Sequence, residues 1–124
     1  MQWNYSMSNN SNCYLAGGGK TASSGYQFPR RVRITGIYVG GMPLDTSVDT
    51  TLTAVVYKDT TATAATVTIT ASTQYECKGS LVRSFTPVVF EPTEYFGVRI
   101  TTNNATPATG WSFATVIVEY EEMD

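Results

Sequence analysis

Residues 18–21 read Gly-Gly-Lys-Thr, the sequence with which a phosphate-binding P-loop ends. The complete pattern needs another glycine five positions before the last one, and that position holds Tyr14. The sequence around this stretch also lacks an apolar strand before it and a helical pattern after it. We therefore expect neither nucleotide binding nor any other cofactor.

The carboxylates that could act in pairs lie at predicted turns. Asp45 and Asp49 share one loop, Asp59 follows a strand, and Glu91 and Glu94 flank another turn. A glycosidase holds two carboxyl groups at a controlled separation in a cleft, whereas carboxylates at turns are usually solvated or cap backbone amides. A calcium site at Asp45 and Asp49 stays open, because hard cations bind clustered oxygens, but the spacing of an EF-hand is absent.

The chain of 124 residues contains no histidine. Serine and cysteine nucleophiles usually need a neighbouring base, and zinc sites are built largely from cysteine and histidine ligands. Cys13 and Cys77 lie far apart in sequence and in unlike contexts, so we expect two reduced thiols. These observations predict a protein that is not an enzyme and has no zinc site, and we assign no metal ligands.

Aromatic residues near strand ends could instead stack on sugars. Tyr95 and Trp111 are the candidates for such a glycan platform, since each lies beside a predicted turn, and Tyr26 and Tyr75 occupy similar positions. The alternative for Trp111 is structural: it begins the last strand and plugs one end of the fold.

Composition and charge argue against two classes of partner. The formal net charge is −2, whereas nucleic-acid binders need a basic face, and no apolar run approaches the roughly 20 residues of a membrane span. Only 15% of the residues are charged, below the ~25% typical of soluble domains. Threonine supplies much of the polar surface in their place.

The charges are unevenly distributed along the chain. A basic segment contains Arg31 and Arg33, and an acidic end contains Glu119 and Glu121. Residues two positions apart on a strand share a face. The two segments could pair within one sheet, where each opposed pair contributes roughly 0.2–1 kcal/mol, or the basic segment could meet an acidic segment of another subunit.

Threonine alternates with apolar residues between recurring turn signals, which is the pattern of half-buried strands. The alternation predicts several inward faces, namely Leu52, Ala54 and Val56; Val67, Ile69 and Ala71; and Phe96, Val98 and Ile100. The Thr/Ala run over residues 60–66 predicts a loop or an irregular edge strand, and Trp111 to Tyr120 predicts a central strand. We expect an all-β fold, a single antiparallel β-sandwich of jelly-roll type with an extended N-terminal arm.

The predicted strand at residues 31–39 contains a glycine, Gly36, which indicates a bulge or a close backbone approach. Simple alternation divides its apolar residues between two faces, with Val32, Ile34 and Tyr38 on one and Ile37 and Val39 on the other.

Residues 1–27 are rich in Asn, Ser and Gly, and we assign them to an arm ahead of a sandwich domain at 28–124. Large side chains are embedded in this arm, at Trp3, Tyr5, Tyr14 and Leu15. Either they fold back as a first short strand, or they anchor the arm on a neighbouring subunit, as Trp and Tyr do well. The second interpretation predicts that deletion of residues 1–25 leaves the sandwich folded but weakens binding to the partner.

The stretches Ile34 to Gly41, Tyr95 to Thr102 and Phe113 to Glu122, behind the arm, resemble small virion proteins of tailed bacteriophages. The resemblance implies a non-enzymatic capsid decoration or cement subunit, made in the host cytoplasm and located in the virion. Its implied partners are the major capsid protein or another virion protein and further copies of itself, as a trimer. The alternative is a carbohydrate- or receptor-binding module of a phage tail tip or fibre, or of a bacterial adhesin.

Overall fold

A computed structural model describes residues 1–8, 12–17, 19–21, 23–44, 50–102 and 110–124, without the side chains of residues 5–8, 12, 13, 110 and 113. All regular elements among these residues are strands. They are β1 (Gln2–Ser8), β2 (Asn12–Leu15), β3 (Val32–Pro43), β4 (Thr50–Lys58), β5 (Thr61–Ala71), β6 (Lys78–Val82), β7 (Val88–Phe90), β8 (Phe96–Thr102) and β9 (Gly110–Glu122).

The strands form two antiparallel sheets whose pairing is nested. β4 pairs with β5, β3 with β6 and β7, β2 with β8, and β1 with β9. The first sheet has the order β1-β9-β3-β6, with β7 also paired to β3, and the second has the order β2-β8-β4-β5. This nesting, divided between two facing sheets, is the arrangement of a jelly roll. The prediction of an all-β fold with a single antiparallel sandwich is confirmed.

The core lies between the sheets and follows the predicted alternation. The residues expected to face inward from β4, β5 and β8 are all buried, and β7 and β9 add Phe90, Val116 and Val118. Each fully buried side chain of this size contributes roughly 1.5–3 kcal/mol. The predicted central position of the last strand is also confirmed, because β9 lies between β1 and β3.

The face assignment in β3 is wrong beyond Gly36. The register between β3 and β9 shifts between Ile34 and Gly36, so the predicted bulge is present and the side chains after it change face. As a result Ile34 and Ile37 both point into the core, whereas Tyr38 lies on the outside of the first sheet. There its hydroxyl occupies the space beside Gly40 and Gly79.

The Thr/Ala run at residues 60–66 belongs to β5, an irregular edge strand rather than a loop. The β4–β5 register shifts between Val55 and Tyr57. At this irregularity the Thr63 hydroxyl donates to the Val56 carbonyl at 2.8 Å and accepts from the Ala65 amide at 3.3 Å. Threonine thus replaces a missing ladder bond, which explains why a run without a regular apolar stripe continues the strand.

The N-terminal segment supplies one strand to each sheet. β1 pairs with β9 along most of its length, and β2 pairs with β8. Of the two interpretations of this segment, folding back onto the domain is the one that the structure contains. Removal of residues 1–25 would take a strand from both sheets, so the expectation that the sandwich folds without them stays a prediction, and the strand pairing argues against it.

Candidate functional site

The outer face of the first sheet carries charged residues that pair with one another. Arg33 forms an ion pair with Glu121, directly opposite it in the β3–β9 register. Glu119 pairs instead with Arg83, whose Nε and Nη2 donate to the two carboxylate oxygens at 2.8 and 2.9 Å. The Arg33–Glu121 pair lies within one sheet, as the first of the two interpretations predicts, whereas the Arg83–Glu119 pair was not predicted.

The remaining predicted member of the charge cluster, Arg31, contacts Glu91 at 2.8 Å. Sequence reasoning missed Arg83, because the residue after β6 reaches Glu119 of β9 only across the intervening strand β3, over Gly36. The two hydrogen bonds from Arg83 hold the pKa of the Glu119 carboxyl below its usual range, with partial desolvation acting in the opposite direction. The same hydrogen bonds raise the pKa of the Arg83 guanidinium.

The outer face of the second sheet is almost uncharged and is built from rows of threonine. One row runs Thr101, Thr53, Thr68 across β8, β4 and β5, and the next pairs Thr51 with Thr70. The Thr53 and Thr68 hydroxyls hydrogen bond to each other at 2.9 Å. The threonine face comprises Thr51, Thr53, Val55, Thr66, Thr68, Thr70 and Thr101.

Arg99 lies within the threonine face, directly opposite Val55, and aromatic rings cover it. The Arg99 guanidinium carbon is 4.1 Å from the Tyr57 ring centroid and 4.9 Å from that of Tyr14. Its Nη2 donates to the Gly19 carbonyl at 3.2 Å, which holds the loop after β2 against the sheet. Cation–π contacts contribute ~0.5–2 kcal/mol and shield the charge from the surface. The face thus presents hydroxyls, methyls and rings.

The proposed glycan platform at Tyr95 and Trp111 is wrong. Trp111 is 1% exposed, and its indole nitrogen donates to the Thr102 hydroxyl at 3.0 Å. Thr102 ends β8, whereas Tyr95 precedes the start of this strand, so the two aromatic residues lie near opposite ends of the sandwich. The structural alternative for Trp111 is confirmed, since it fills one end of the core.

The residues predicted to anchor an arm are separated by the fold. Trp3 and Leu15 pack against the core, and Trp3 stacks on Phe96 with ring centroids 6.2 Å apart. Tyr14 is 36% exposed beneath Arg99 on the second sheet. The side chain of Tyr5 lies outside the described residues, and a contact of any of these residues with a neighbouring subunit stays a prediction.

An open cleft of about 390 Å³ lies where the first residues of β1 approach the end of β2. Trp3 and Tyr26 provide its aromatic walls, and Met1, Gln2 and Ala16 complete the lining. Tyr26 reaches this position because its backbone exchanges two 2.8 Å hydrogen bonds with Phe96. Sequence reasoning considered the two residues separately and had no signal that joins them.

The turn carboxylates in the described part of the chain have structural partners. Asp59 accepts a hydrogen bond from the Tyr95 amide at 3.0 Å, and Glu94 accepts one from the Glu91 amide at 2.7 Å. Asp45 and Asp49 lie outside the described residues, and among those that are described no three metal-binding side chains cluster. Cys77 is an exposed free thiol, while the Cys13 side chain is undescribed.

Comparison of the chain with protein-family models, curated proteins and solved structures finds no match. The described residues also contain no helix long and apolar enough to cross a membrane. The evidence for function therefore lies in three surfaces. They are the outer face of the first sheet, whose charged residues pair with one another, the threonine face, and the aromatic cleft between Trp3 and Tyr26.

Proposed function

We propose that the protein is a non-enzymatic structural subunit of a virion, a capsid decoration or cement protein that stabilises the shell by multivalent contacts. The observation that carries this proposal is the threonine face, a broad strand-built surface with little charge. Jelly rolls with two packed sheets are typical of viral capsid and lectin domains. The resemblance to virion proteins of tailed phages points the same way.

The threonine face has the chemistry of a contact surface. The centres of protein interfaces are depleted in charged residues, and burial of Lys or Glu costs up to about 2 kcal/mol of side-chain entropy in each case. Threonine is short and β-branched, so it has little rotamer freedom to lose. The hydroxyls of Thr53 and Thr68 already bond to each other, which reduces the cost of removing them from water.

The proposed partner is the major capsid protein or another virion protein, and the protein acts in the virion after synthesis in the host cytoplasm. A standard interface covers about 800 Å² per partner, roughly an eighth of the 6195 Å² surface of this subunit. Room therefore remains for a second contact. Homo-oligomers, with a trimer favoured by the resemblance, would present several threonine faces together and gain avidity.

An arginine within the threonine face, on its edge strand β5, tests this assignment. Thr68→Arg should weaken binding to purified capsids by at least about tenfold, because an unpaired charge would have to be buried at the contact. The side chain is exposed in the free subunit, so stability should change little. Binding is measured by co-sedimentation over a range of protein concentrations.

Thr93→Arg is the matched control, since Thr93 is an exposed threonine in the turn before β8, outside the threonine face. We expect this variant to bind capsids like the unmodified protein. Equal binding by the Thr68→Arg variant would remove the threonine face from the proposed contact. The alternative function, a carbohydrate- or receptor-binding module, no longer has the support of Tyr95 and Trp111.

A further inference from the structure

We propose that the aromatic cleft between Trp3 and Tyr26 binds a pyranose ring of a glycan. The cleft volume of about 390 Å³ falls within the roughly 300–1,000 Å³ of small-molecule sites. This activity goes beyond the proposed structural role and uses different residues. The apolar face of the sugar would lie on the aromatic walls, and its hydroxyls would remain near solvent and the Gln2 carboxamide.

Both aromatic walls are held in place before any ligand arrives. The Trp3 ring stacks on Phe96 with an interplanar angle of 24°. The Tyr26 ring packs edge-on against Phe28, with centroids 5.1 Å apart and an angle of 89°. Phe28 and Phe96 are themselves buried, and their ring centroids lie 5.3 Å apart. Rings that are already fixed lose little conformational entropy on binding, which favours affinity.

The exposure of the cleft selects a ligand that is polar on most sides. Tyr26 is 45% exposed and Gln2 lies on the surface, so a ligand here keeps contact with water. A wholly apolar ligand gains most where 70–90% or more of its surface is buried, which an open cleft does not provide. A pyranose has one apolar face and a rim of hydroxyls, so a single stacked face is sufficient.

The lining also disfavours charged ligands. No charged side chain is among the described residues that line the cleft, which are Met1, Gln2, Trp3, Ala16 and Tyr26, and the Met1 ammonium donates to the Val118 carbonyl at 2.9 Å. A carboxamide both donates and accepts hydrogen bonds, so the Gln2 side chain can pair with neighbouring sugar hydroxyls. The geometry therefore points to a neutral sugar.

The cleft is separate from the threonine face. Tyr26 bridges to Phe96 at the start of β8, whereas Thr101 of the threonine face lies near the end of that strand. Five residues along a strand span roughly 17 Å. A sugar in the cleft and a protein partner on the threonine face can thus be tested independently, and failure of one assignment leaves the other intact.

The experiment titrates the full chain with the methyl glycosides of glucose, galactose, mannose, rhamnose and N-acetylglucosamine. Saturation-transfer NMR detects binding from the sugar side, and the indole signal of Trp3 reports it from the protein side. We expect at least one glycoside to bind and to shift the Trp3 signal. Tyr26→Ala should weaken that binding by about tenfold or more, because one of two stacking walls is lost.

Tyr75→Ala is the matched control, since Tyr75 is 60% exposed and does not line the cleft. It should bind the sugar like the unmodified protein, and Tyr26→Phe, which keeps the ring, should retain most of the affinity. A backbone NMR spectrum verifies that each variant is folded. If Tyr26→Ala fails to fold, Gln2→Ala takes its place, with a loss of a few fold expected. Absence of binding by every glycoside, or binding that Tyr26→Ala and Gln2→Ala leave unchanged, would overturn the proposal.

Discussion

The indole nitrogen of Trp111 links the two sheets at one end of the sandwich. It donates to the Thr102 hydroxyl at 3.0 Å, and this hydroxyl donates in turn to the Thr51 carbonyl at 2.9 Å. Trp111 belongs to the first sheet and the other two residues to the second. A chain of hydrogen bonds between buried groups fixes how the sheets lie against each other, in addition to apolar packing.

Trp111→Phe should lower the free energy of unfolding by about 2–4 kcal/mol, since a hydrogen bond worth about 1 kcal/mol is lost and a smaller ring leaves a cavity. Urea denaturation measures the change. In a Thr102→Val background the same substitution should cost less, because the hydroxyl partner is already gone. An equal cost in both backgrounds would show that this hydrogen bond adds nothing.

The ion pair between Arg83 and Glu119 predicts a specific pH dependence. Because the pKa of Glu119 is lowered in the folded state, the pair stabilises the fold above the unfolded-state pKa of about 4.3, and this contribution is lost as the pH falls through the lowered folded pKa. Glu119→Gln should therefore reduce stability at neutral pH and make a diminishing difference as the solution is acidified.

Unfolding curves of the unmodified protein and Glu119→Gln at a series of pH values measure this difference. Glu122→Gln is the control, because the Glu122 contact with Arg30 is longer, at 3.8 Å. We expect a smaller effect at neutral pH for this variant. A stability difference for Glu119→Gln that stays constant from neutral to strongly acidic pH would contradict the role assigned to the pair.

Strands β1 and β2 complete the edges of both sheets, and their removal should be costly. Without residues 1–15, β9 and β8 each lose a hydrogen-bonded neighbour, and the core loses Trp3 and Leu15. Fully buried large apolar side chains contribute about 2–5 kcal/mol each, and the partly buried Trp3 and Leu15 contribute less than this. We expect the shortened chain to be unfolded or strongly destabilised, as measured by circular dichroism during heating.

Retention of the unmodified melting temperature by that shortened chain would contradict the assignment of β1 and β2 to the sheets. A Trp3→Ala variant of the full chain is the milder companion. It keeps both strands and removes one aromatic contact with the core, so its destabilisation should be smaller than that of the truncation.

Period-two alternation predicted most of the core, because a strand with one buried face must repeat every second residue. β4, β5 and β8 follow this rule, as Leu52, Val67 and Ile100 show. It fails in β3, where the bulge at Gly36 inverts the faces, and in β1, whose Asn and Ser residues lack the apolar signal of a strand. Pairing with β9 decides the structure there.

The candidate sites depend on contacts between residues that are distant in sequence. The alternation of apolar and polar residues does not predict such contacts. Burial of Trp111 follows from sheet-on-sheet packing, and the Trp3–Tyr26 cleft follows from the bridge between Tyr26 and Phe96. The low charge of the threonine face could be predicted from the sequence, because it follows from composition. The strand order that places these threonines side by side could not be predicted.

The two outer faces of the sandwich differ in the number and pairing of their charged residues. On the first sheet, arginines and glutamates neutralise one another within the subunit, as with Arg33 and Glu121. Exposed pairs of this kind contribute little energy, about 0–1 kcal/mol, yet they keep the face hydrated. On the second sheet the threonine face remains low in charge, so it is the side that loses least when a partner covers it.

The proposal that this β-sandwich is a structural component of a virion is tested most directly by mixing the purified full chain with purified phage capsids and, separately, with purified phage tails. Sedimentation then separates bound from free protein. We expect saturable binding to capsids at a defined number of copies per shell. The capsid should remain chemically unchanged. Sedimentation with neither capsids nor tails would contradict the proposal.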